Sequence, residues 1–542
     1  MKMGVMSRSE VETIIADARA KGESPDLTGV NLTDANLPYA DLSGVNLEGV
    51  NLHEVNLSEM DLTGAKLRGA NLTGANLESA NLTGANLESA DLTGANLESA
   101  NLWGADLTGA NLTHANLDYA DFTAADLRDA NPQDADLGGV SLQEANLAGM
   151  NLCHANLSGV DLHAAKLQGT NLQDADLSGA GLSGANLTGA DLRHANLEGA
   201  DLGWADLENA NLDDANFKGV GLNNANLVGV NLSGAHLSGV NLHEAQLWGT
   251  GLTGASLFNA DLTNADLSGA DLTGADLRYA DLTYAVLSDA NLTGADLTKT
   301  IFARPRPRRF DADLTGANLT NAKLEGVELD GANLQGVNLT GANLQKVILT
   351  DANLTNANLS RANLTNADLS RAKLEDANLT NANLDSADLR DVGGLADAIL
   401  ADVNLESANL NGANLSGMDL SGAQMSGAEL IEVNLTDAWL DNADLTYVDL
   451  YDANLTGADL RGANLEGAAL RDATCDAAIF ADDPMTLIDH EVPEARAWAA
   501  QRITDPTVLM QLALDDEEVV RAAVLENGSA TDEIRVAVTL RQ

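Results

Sequence analysis

Leucine recurs at every fifth position over most of this chain, beginning at Leu27. The run 70–79 reads Ala-Asn-Leu-Thr-Gly followed by Ala-Asn-Leu-Glu-Ser. When the leucine is called position i, position i−2 is Ala or Val and position i−1 is Asn or Asp. Positions i+1 and i+2 are usually Thr-Gly, Ser-Gly or Glu-Ser. The repeating unit is therefore five residues long, and its two apolar residues, at i−2 and i, are separated by one polar residue.

This period excludes the two ordinary elements. A step of five residues turns an α-helix by about 140°, so the leucines would spiral around every side, and Gly and Asn are poor helix formers. In a straight strand an odd period sends alternate leucines to opposite faces. A strand that bends at each polar pair satisfies the pattern, because i−2 and i then point to one side and Gly permits the corner. The pattern alone leaves open how many edges close one coil; four would give about 20 residues.

The unit resembles the A(D/N)LXX repeat of the pentapeptide-repeat family, over about residues 26–480. The resemblance implies an all-β solenoid, a right-handed quadrilateral β-helix with four units per coil. Leu32, Leu52 and Leu72 would then stack as an internal ladder. About 90 units at about 4.8 Å per coil imply a rod on the order of 100 Å long.

Segments without the repeat suggest the domain boundaries. Ser9-Glu10-Val11-Glu12 is typical of a capping box and predicts an N-terminal capping helix, through about Ala20, within residues 1–25. The β-helix is predicted in two parts, 26–302 and 314–480, separated by an Arg/Pro-rich loop at 303–313. A small α-helical C-terminal module is predicted over 481–542.

The C-terminal module is predicted to contain four short helices, at 493–502, 506–514, 517–526 and 532–541. Its sequence resembles variant leucine-rich or HEAT-like helical repeats, which mediate protein contacts. Two interpretations stay open: a helical cap on the open end of the β-helix, or a module that binds a partner or a second copy of the chain.

Two irregularities lie within the repeat. Pro132 occupies a leucine position and lacks an N–H, so we expect a local distortion there. Val392-Gly393-Gly394 shifts the leucine phase by one residue, which predicts a small bulge or corner insertion.

Composition and charge narrow the function. Among 542 residues, aromatic residues make up 3% and the net charge is −52. Such acidity argues against direct nucleic-acid binding and indicates either a basic protein partner or a solubilising surface. Two cysteines exclude a disulfide framework. No long apolar run predicts a membrane span or a signal peptide, so a cytoplasmic protein without membrane contact is expected.

Catalytic motifs are missing from the sequence. It contains no Gly-x-Ser-x-Gly elbow, Walker loop, HExxH or paired CxxC, so we expect neither an enzyme nor a cofactor. One column at position i+2 alternates His and Asp with a spacing of 20 residues. It could bind metal or respond to pH, form favourable cross-strand pairs, or reflect copying of a 40-residue unit. The column contains His114, Asp134, His154, Asp174, His194 and Asp214.

Two further sets of residues are candidates for partner binding. The loop arginines could dock an acidic surface, nucleic acid or another copy of the chain, or could belong to a solvated insertion. They are Arg304, Arg306, Arg308 and Arg309. The second set is a column of outward aspartates at position i−1. It comprises Asp41, Asp61, Asp121, Asp161, Asp201, Asp261 and Asp281.

Some proteins of the family that this chain resembles are DNA mimics that bind type II topoisomerases, chiefly DNA gyrase. The resemblance therefore implies a non-enzymatic protein-binding rod that imitates DNA. This chain is longer than those proteins and has a helical C-terminal module that they lack. Those proteins dimerise through a C-terminal helix, so a homodimer through the C-terminal module is expected by analogy only. The alternative is a structural or scaffolding rod whose acidity serves only solubility.

Overall fold

The computed structural model describes residues 6–33, 37, 41–135, 137–302, 312–481 and 483–541. The chain forms two compact units, Met1–Asp276 and Leu277–Gln542. Both units contain a right-handed β-helix, in which the strands are reduced to single parallel bridges such as Asn71–Asp91. Bridged residues are 20 positions apart over most of the chain. Each turn of the β-helix therefore contains four five-residue units.

Each backbone N–H of a regular five-residue repeat has a hydrogen-bond partner. Leu72 and Gly74 donate to carbonyls of the following turn, at 2.7 and 2.9 Å. Asn71 donates to a carbonyl of the preceding turn at 3.0 Å, and Ala75 donates to Leu72 across the corner at 2.9 Å. The remaining N–H, that of Thr73, donates to Oδ1 of Asn71 at 3.1 Å. The polar residue at i−1 therefore supplies the acceptor that the corner lacks.

In both compact units, the core of the β-helix consists of the side chains at positions i and i−2 of the five-residue repeats. Leu32, Leu52 and Leu72 are fully buried, and their turns are joined by bridges between the residues just before them. Phe122 and Phe217 occupy leucine positions in the first unit and are also buried. Because leucine and alanine already fill these narrow ladders, few positions can hold a ring.

The first unit begins with helix α1, Arg8–Ala20. Its capping box is formed by Ser7 and Glu10, since Glu10 Oε2 accepts bonds from Ser7 N and Oγ at 2.7 Å. The sequence placed the box two residues later; Glu12 instead pairs with Arg8, one turn before it. Val11 and Ile15 are buried. The apolar side of α1 is therefore covered.

Pro132 interrupts the ladder in the first unit, as its missing N–H predicts. Among the described residues, the regular inter-turn bonds are not formed between 130–135 and 151–156. Beside Pro132 lies an apolar cavity of about 20 Å³, lined mainly by leucines. A surface cleft of about 1030 Å³ opens where the two turns separate, and Cys153 and His154 contribute to its lining.

In the second unit the bridge Val286–Asp313 spans 27 residues instead of 20, so seven residues are inserted before Asp313. Most of the predicted loop, including Arg304, Arg306, Arg308 and Arg309, lies outside the described residues. A one-residue insertion follows the bridge Lys373–Gly393, because the next bridge, Asn378–Ile399, spans 21 residues. Gly394 adopts φ 67° before a short 3₁₀ turn, Leu395–Asp397.

After the last bridges the second unit becomes helical. A 3₁₀ turn, Pro484–Leu487, precedes four helices. These are α2 (Pro493–Arg502), α3 (Pro506–Leu512), α4 (Glu518–Glu526) and α5 (Asp532–Arg541). Helix α3 ends two residues earlier than the sequence predicts. The described helices include none that is both long and apolar enough to cross a membrane.

In the described part of the second unit, Trp498 joins the helices to the end of the β-helix. The Trp498 ring packs edge-on against Phe480 with centroids 6.1 Å apart. Its indole N–H also donates to the Ala478 carbonyl. Within the helices, Arg496 Nε lies 2.8 Å from Asp515 Oδ2, and both side chains are largely buried.

Candidate functional site

A column of outward i−1 residues runs through the first unit from Asp41 to Asp261. Successive members, 20 residues apart, are joined by parallel bridges from each turn to the next. Half of the twelve positions are aspartates, and we call this row the aspartate column. Its acidic members are Asp41, Asp61, Asp121, Asp161, Asp201 and Asp261. Asp281, the seventh predicted residue, belongs to the second unit and bridges to Ile301.

Each aspartate of the column accepts a hydrogen bond within its own corner. Asp61 Oδ1, for example, accepts from Thr63 N at 3.0 Å. Asn81, the next member, accepts the equivalent bond from Thr83 N at 3.2 Å. Because the amide oxygen of Asn makes the same bond, the fold requires an oxygen at this position but not a charge.

The aspartate column contains no basic residue, whereas the neighbouring column contains Lys66 and Lys166. Arginines elsewhere in the first unit pair with acids outside the aspartate column; Arg193, for instance, lies 2.7 Å from Asp191. Among the described residues of this unit, Arg19 is the one cation paired with a column carboxylate. Its guanidinium donates to Asp41 at 2.6 and 2.9 Å and holds the pKa of that carboxyl well below its usual range. Within the described part of the unit, the other five column carboxylates form no ion pair.

The first unit approaches the charge density of DNA. Residues 41–260 form eleven turns of 20 residues and contain 28 acidic and six basic residues. The net charge is therefore two per turn, or about one per 2.4 Å if each turn rises about 4.8 Å. B-DNA has about one charge per 1.7 Å of axis. The acids lie on all four faces, and the aspartate column has the most of them at i−1.

The His/Asp column forms three separate pairs. In each pair the histidine Nδ1 lies near Oδ2 of the aspartate one turn later. The distances are 4.0 Å for His114–Asp134, 3.9 Å for His154–Asp174 and 3.8 Å for His194–Asp214. All six residues have φ between 56° and 60°, a backbone region that Asp, Asn and His tolerate better than most residues. The six residues of the column therefore form three His–Asp pairs.

One of the three pairs has an additional ligand-type side chain. Cys153, His154 and Asp174 each offer one ligand atom, and these three atoms lie within 4.8 Å of one another. The residues that precede the other two histidines are Thr113 and Arg193. The sequence pattern singled out only the His and Asp residues of this column. The adjacent Cys153-His154 at one corner was the signal that could have found the cluster.

The family model described as pentapeptide repeats (8 copies) matches the chain in overlapping segments from residue 26 to residue 474. The matches cover 26–131, 133–304, 312–391 and 398–474. The chain belongs to the pentapeptide repeat family. No curated protein matches this pentapeptide repeat protein in sequence.

Solved structures similar to this pentapeptide repeat protein include other members of the family. QnrB1, a plasmid-mediated fluoroquinolone resistance protein, is 18% identical with a TM-score of 0.30; the match covers 36% of this chain and 93% of QnrB1. HetL from the cyanobacterium Nostoc, involved in heterocyst differentiation regulation, is 28% identical with a TM-score of 0.11, covering 58% and 91%. Rfr23 from the cyanobacterium Cyanothece is 33% identical with a TM-score of 0.10, covering 28% and 90%.

Proposed function

We propose that this pentapeptide repeat protein is a non-enzymatic binding protein that presents a DNA-like negative surface to a basic DNA-binding protein. The aspartate column is the observation that carries the proposal. Its six charges lie one to three turns apart, point outward and, beyond Asp41, form no ion pair with a cation among the described residues of the unit. Grooves that bind DNA attract such a surface because they are lined by Lys and Arg.

The partner class follows from the family resemblance in the sequence. DNA gyrase, a type II topoisomerase, is the partner that this resemblance implies, and its DNA-binding surface has the required positive charge. The proposal does not depend on the arginines of the loop, which lie outside the described residues. Docking by those arginines is a separate prediction.

A scaffolding role is the second candidate. It is favoured by the presence of acidic residues on all four faces of the first unit, since charge that serves only solubility need not be concentrated. The two candidates differ in one respect: mimicry requires the aspartate column in particular, and solubility requires only net charge.

The terminal helices are proposed to have supporting roles. Helix α1 covers the first turn of the β-helix, to which Arg19 ties it through Asp41. In the second unit, helices α2–α5 cover the last turn of its β-helix through Trp498 and Phe480. Helix α5 exposes Leu540 and Val536, and a homodimer through this module is expected to bury them.

Supercoiling by DNA gyrase tests the proposed function. We expect the full chain to inhibit supercoiling by competing with DNA, and to be retained by immobilised gyrase. Both effects should weaken as salt rises from about 50 to about 200 mM, because screening reduces the attraction. Absence of binding at low salt to gyrase and to other DNA-binding proteins would contradict mimicry and leave the scaffolding role.

A further inference from the structure

We propose that Cys153, His154 and Asp174 form a binding site for one zinc-type divalent cation. This site is independent of the proposed partner binding. It lies on a corner of the β-helix in the first unit. Cys153 and His154 occupy positions i+1 and i+2 of one turn, and Asp174 occupies position i+2 of the next turn.

The donor set identifies the class of metal. A thiolate, an imidazole and a carboxylate together are typical ligands of Zn²⁺, which accepts Cys, His and Asp. Magnesium and calcium prefer oxygen ligands only. Thiolate and carboxylate would together neutralise a divalent cation, and the surrounding negative field attracts one.

The distances are close to those of a metal site. Ligand atoms around tetrahedral zinc are separated by about 3.4–3.8 Å, given bond lengths of about 2.0–2.3 Å. Here the three atoms lie within 4.8 Å, and His154 Nδ1 is 3.9 Å from Asp174 Oδ2. Rotations of these partly or fully exposed side chains can provide the remaining contraction. Three protein ligands leave the fourth position to water.

The backbone holds the two turns together at this corner. His154 N donates to the Gln173 carbonyl at 3.0 Å, which fixes residue 154 against residues 173–174. The Gln173 side chain donates from Nε2 to Asp174 Oδ2 at 3.1 Å. Arg193 in turn donates to Gln173 Oε1 at 3.3 Å. Such hydrogen bonds orient a carboxylate ligand before metal binds.

Cys153 borders the break at Pro132. In a regular corner the preceding turn donates an N–H to the carbonyl at i+1, but the bond from Asp134 to Cys153 is not formed among the described residues. Cys153 and His154 instead line the cleft between the separated turns. A hydrated cation can therefore reach the site from solvent.

The two other His/Asp pairs of the column, which lack a cysteine, act as internal controls. His114–Asp134 and His194–Asp214 repeat the His/Asp pair at similar distances but have Thr113 and Arg193 in place of the cysteine. The second thiol, Cys475, does not compete, because burial raises its pKa to about 12 and keeps it protonated.

Titration of the full chain with Co²⁺ tests the site, because thiolate ligation gives an intense near-ultraviolet charge-transfer band. We expect the band to saturate at one Co²⁺ per chain and to disappear when Zn²⁺ is added. Cys153→Ser should abolish the band. His154→Ala and Asp174→Asn should weaken Co²⁺ binding by about tenfold or more.

The matched controls are His114→Ala and His194→Ala, which should leave the Co²⁺ affinity within about twofold. Circular dichroism checks that each variant keeps its β-helix. Absence of the band in the native chain, its persistence in Cys153→Ser, or an equal loss in His194→Ala would overturn the proposal.

Discussion

The residue at i−1 completes the hydrogen bonding of each corner and also determines much of the charge of the β-helix. Asn71 accepts the bond from Thr73 N that no backbone carbonyl takes, and Asp61 does the same for Thr63. This role explains why Asn and Asp alternate so freely at the position. The sequence predicts that i−1 points outward, but not that its side chain completes the corner, because an Asx bond is invisible to a count of apolar positions.

The glycine at the bulge differs from the ordinary corner glycines. A Cβ at Gly394 would lie 2.6 Å from the backbone N of Glu375, whereas one at Gly422 would meet nothing within 4 Å. Both glycines have φ near 70°. Gly422→Ala should cost about 1–2 kcal/mol for the left-handed backbone alone. Gly394→Ala should lower the free energy of unfolding by about 2 kcal/mol more, because the clash is added.

Urea unfolding followed by circular dichroism measures this difference between the two alanine variants. Equal losses of stability in the two variants would show that the bulge has no special steric requirement.

The two thiols should differ in reactivity. Cys475 is half-buried near Glu494 and Asp476, and its pKa is raised to about 12, chiefly by burial. At pH 8 we expect iodoacetamide to alkylate the partly exposed Cys153 and to leave Cys475 intact in the folded chain. Mass spectrometry of the peptides measures both. Alkylation of Cys475 at the same rate in folded and urea-unfolded protein would contradict its burial.

At the scale of elements, the interruption at Pro132 is a defect in an otherwise regular ladder. Pro132→Leu restores the N–H that a regular turn donates to the Asn151 carbonyl, and its side chain lies beside the apolar cavity. We expect it to raise the free energy of unfolding by about 1–2 kcal/mol. Chemical denaturation measures the gain, with Leu172→Pro as the inverse change in a regular turn. A loss of stability in Pro132→Leu would show that the separated turns have no room for leucine.

The ion pair Arg496–Asp515 should stabilise the C-terminal helices. Burial raises the pKa of Asp515, but the hydrogen bond and charge of Arg496 outweigh it and hold the pKa below its ordinary value. Asp515→Asn should therefore cost about 2–3 kcal/mol. The control is Asp516→Asn, whose carboxylate is exposed and pairs with Arg541.

The pH dependence of this pair has a definite sign. Because the pKa of Asp515 is lower in the folded state, its contribution is complete above the ordinary carboxyl pKa and is lost as pH falls through the lowered value. Helical ellipticity against temperature, at pH 7 and in acid, measures it. Equal melting of Asp515→Asn and native helices at pH 7 would contradict the assignment.

Much of this arrangement could be predicted from the sequence, and its limits have physical causes. The five-residue period of the leucines alone requires a repeatedly bent strand. It also predicts a defect at Pro132, which occupies a leucine position. The capping box at Ser7–Glu10 was misplaced by two residues because Ser9 and Glu12 have the same spacing. The cluster at Cys153 was missed because the His/Asp column contains only residues at i+2, whereas Cys153 lies at i+1.

At the scale of the whole molecule, the net charge of −52 is not imposed by the fold. Asn at every i−1 position would complete the same corners without charge, as Asn81 does. The aspartates therefore add a property beyond the β-helix itself. A long acidic surface that is not required for folding is the basis of the proposed binding role.

The most direct measurement is the affinity for whole DNA gyrase of two variants that remove five charges each from different faces. The column variant carries Asp61→Asn, Asp121→Asn, Asp161→Asn, Asp201→Asn and Asp261→Asn. The control carries Asp91→Asn, Asp106→Asn, Asp176→Asn, Asp206→Asn and Asp266→Asn. Every substituted aspartate accepts a corner bond that Asn also makes, so both variants should fold alike.

We expect the column variant to bind gyrase about tenfold or more weakly than the native chain, and the control variant to lose much less affinity. Equal affinities of the two variants, or no gyrase binding by the native chain, would contradict the central claim that the aspartate column is a DNA-like binding surface.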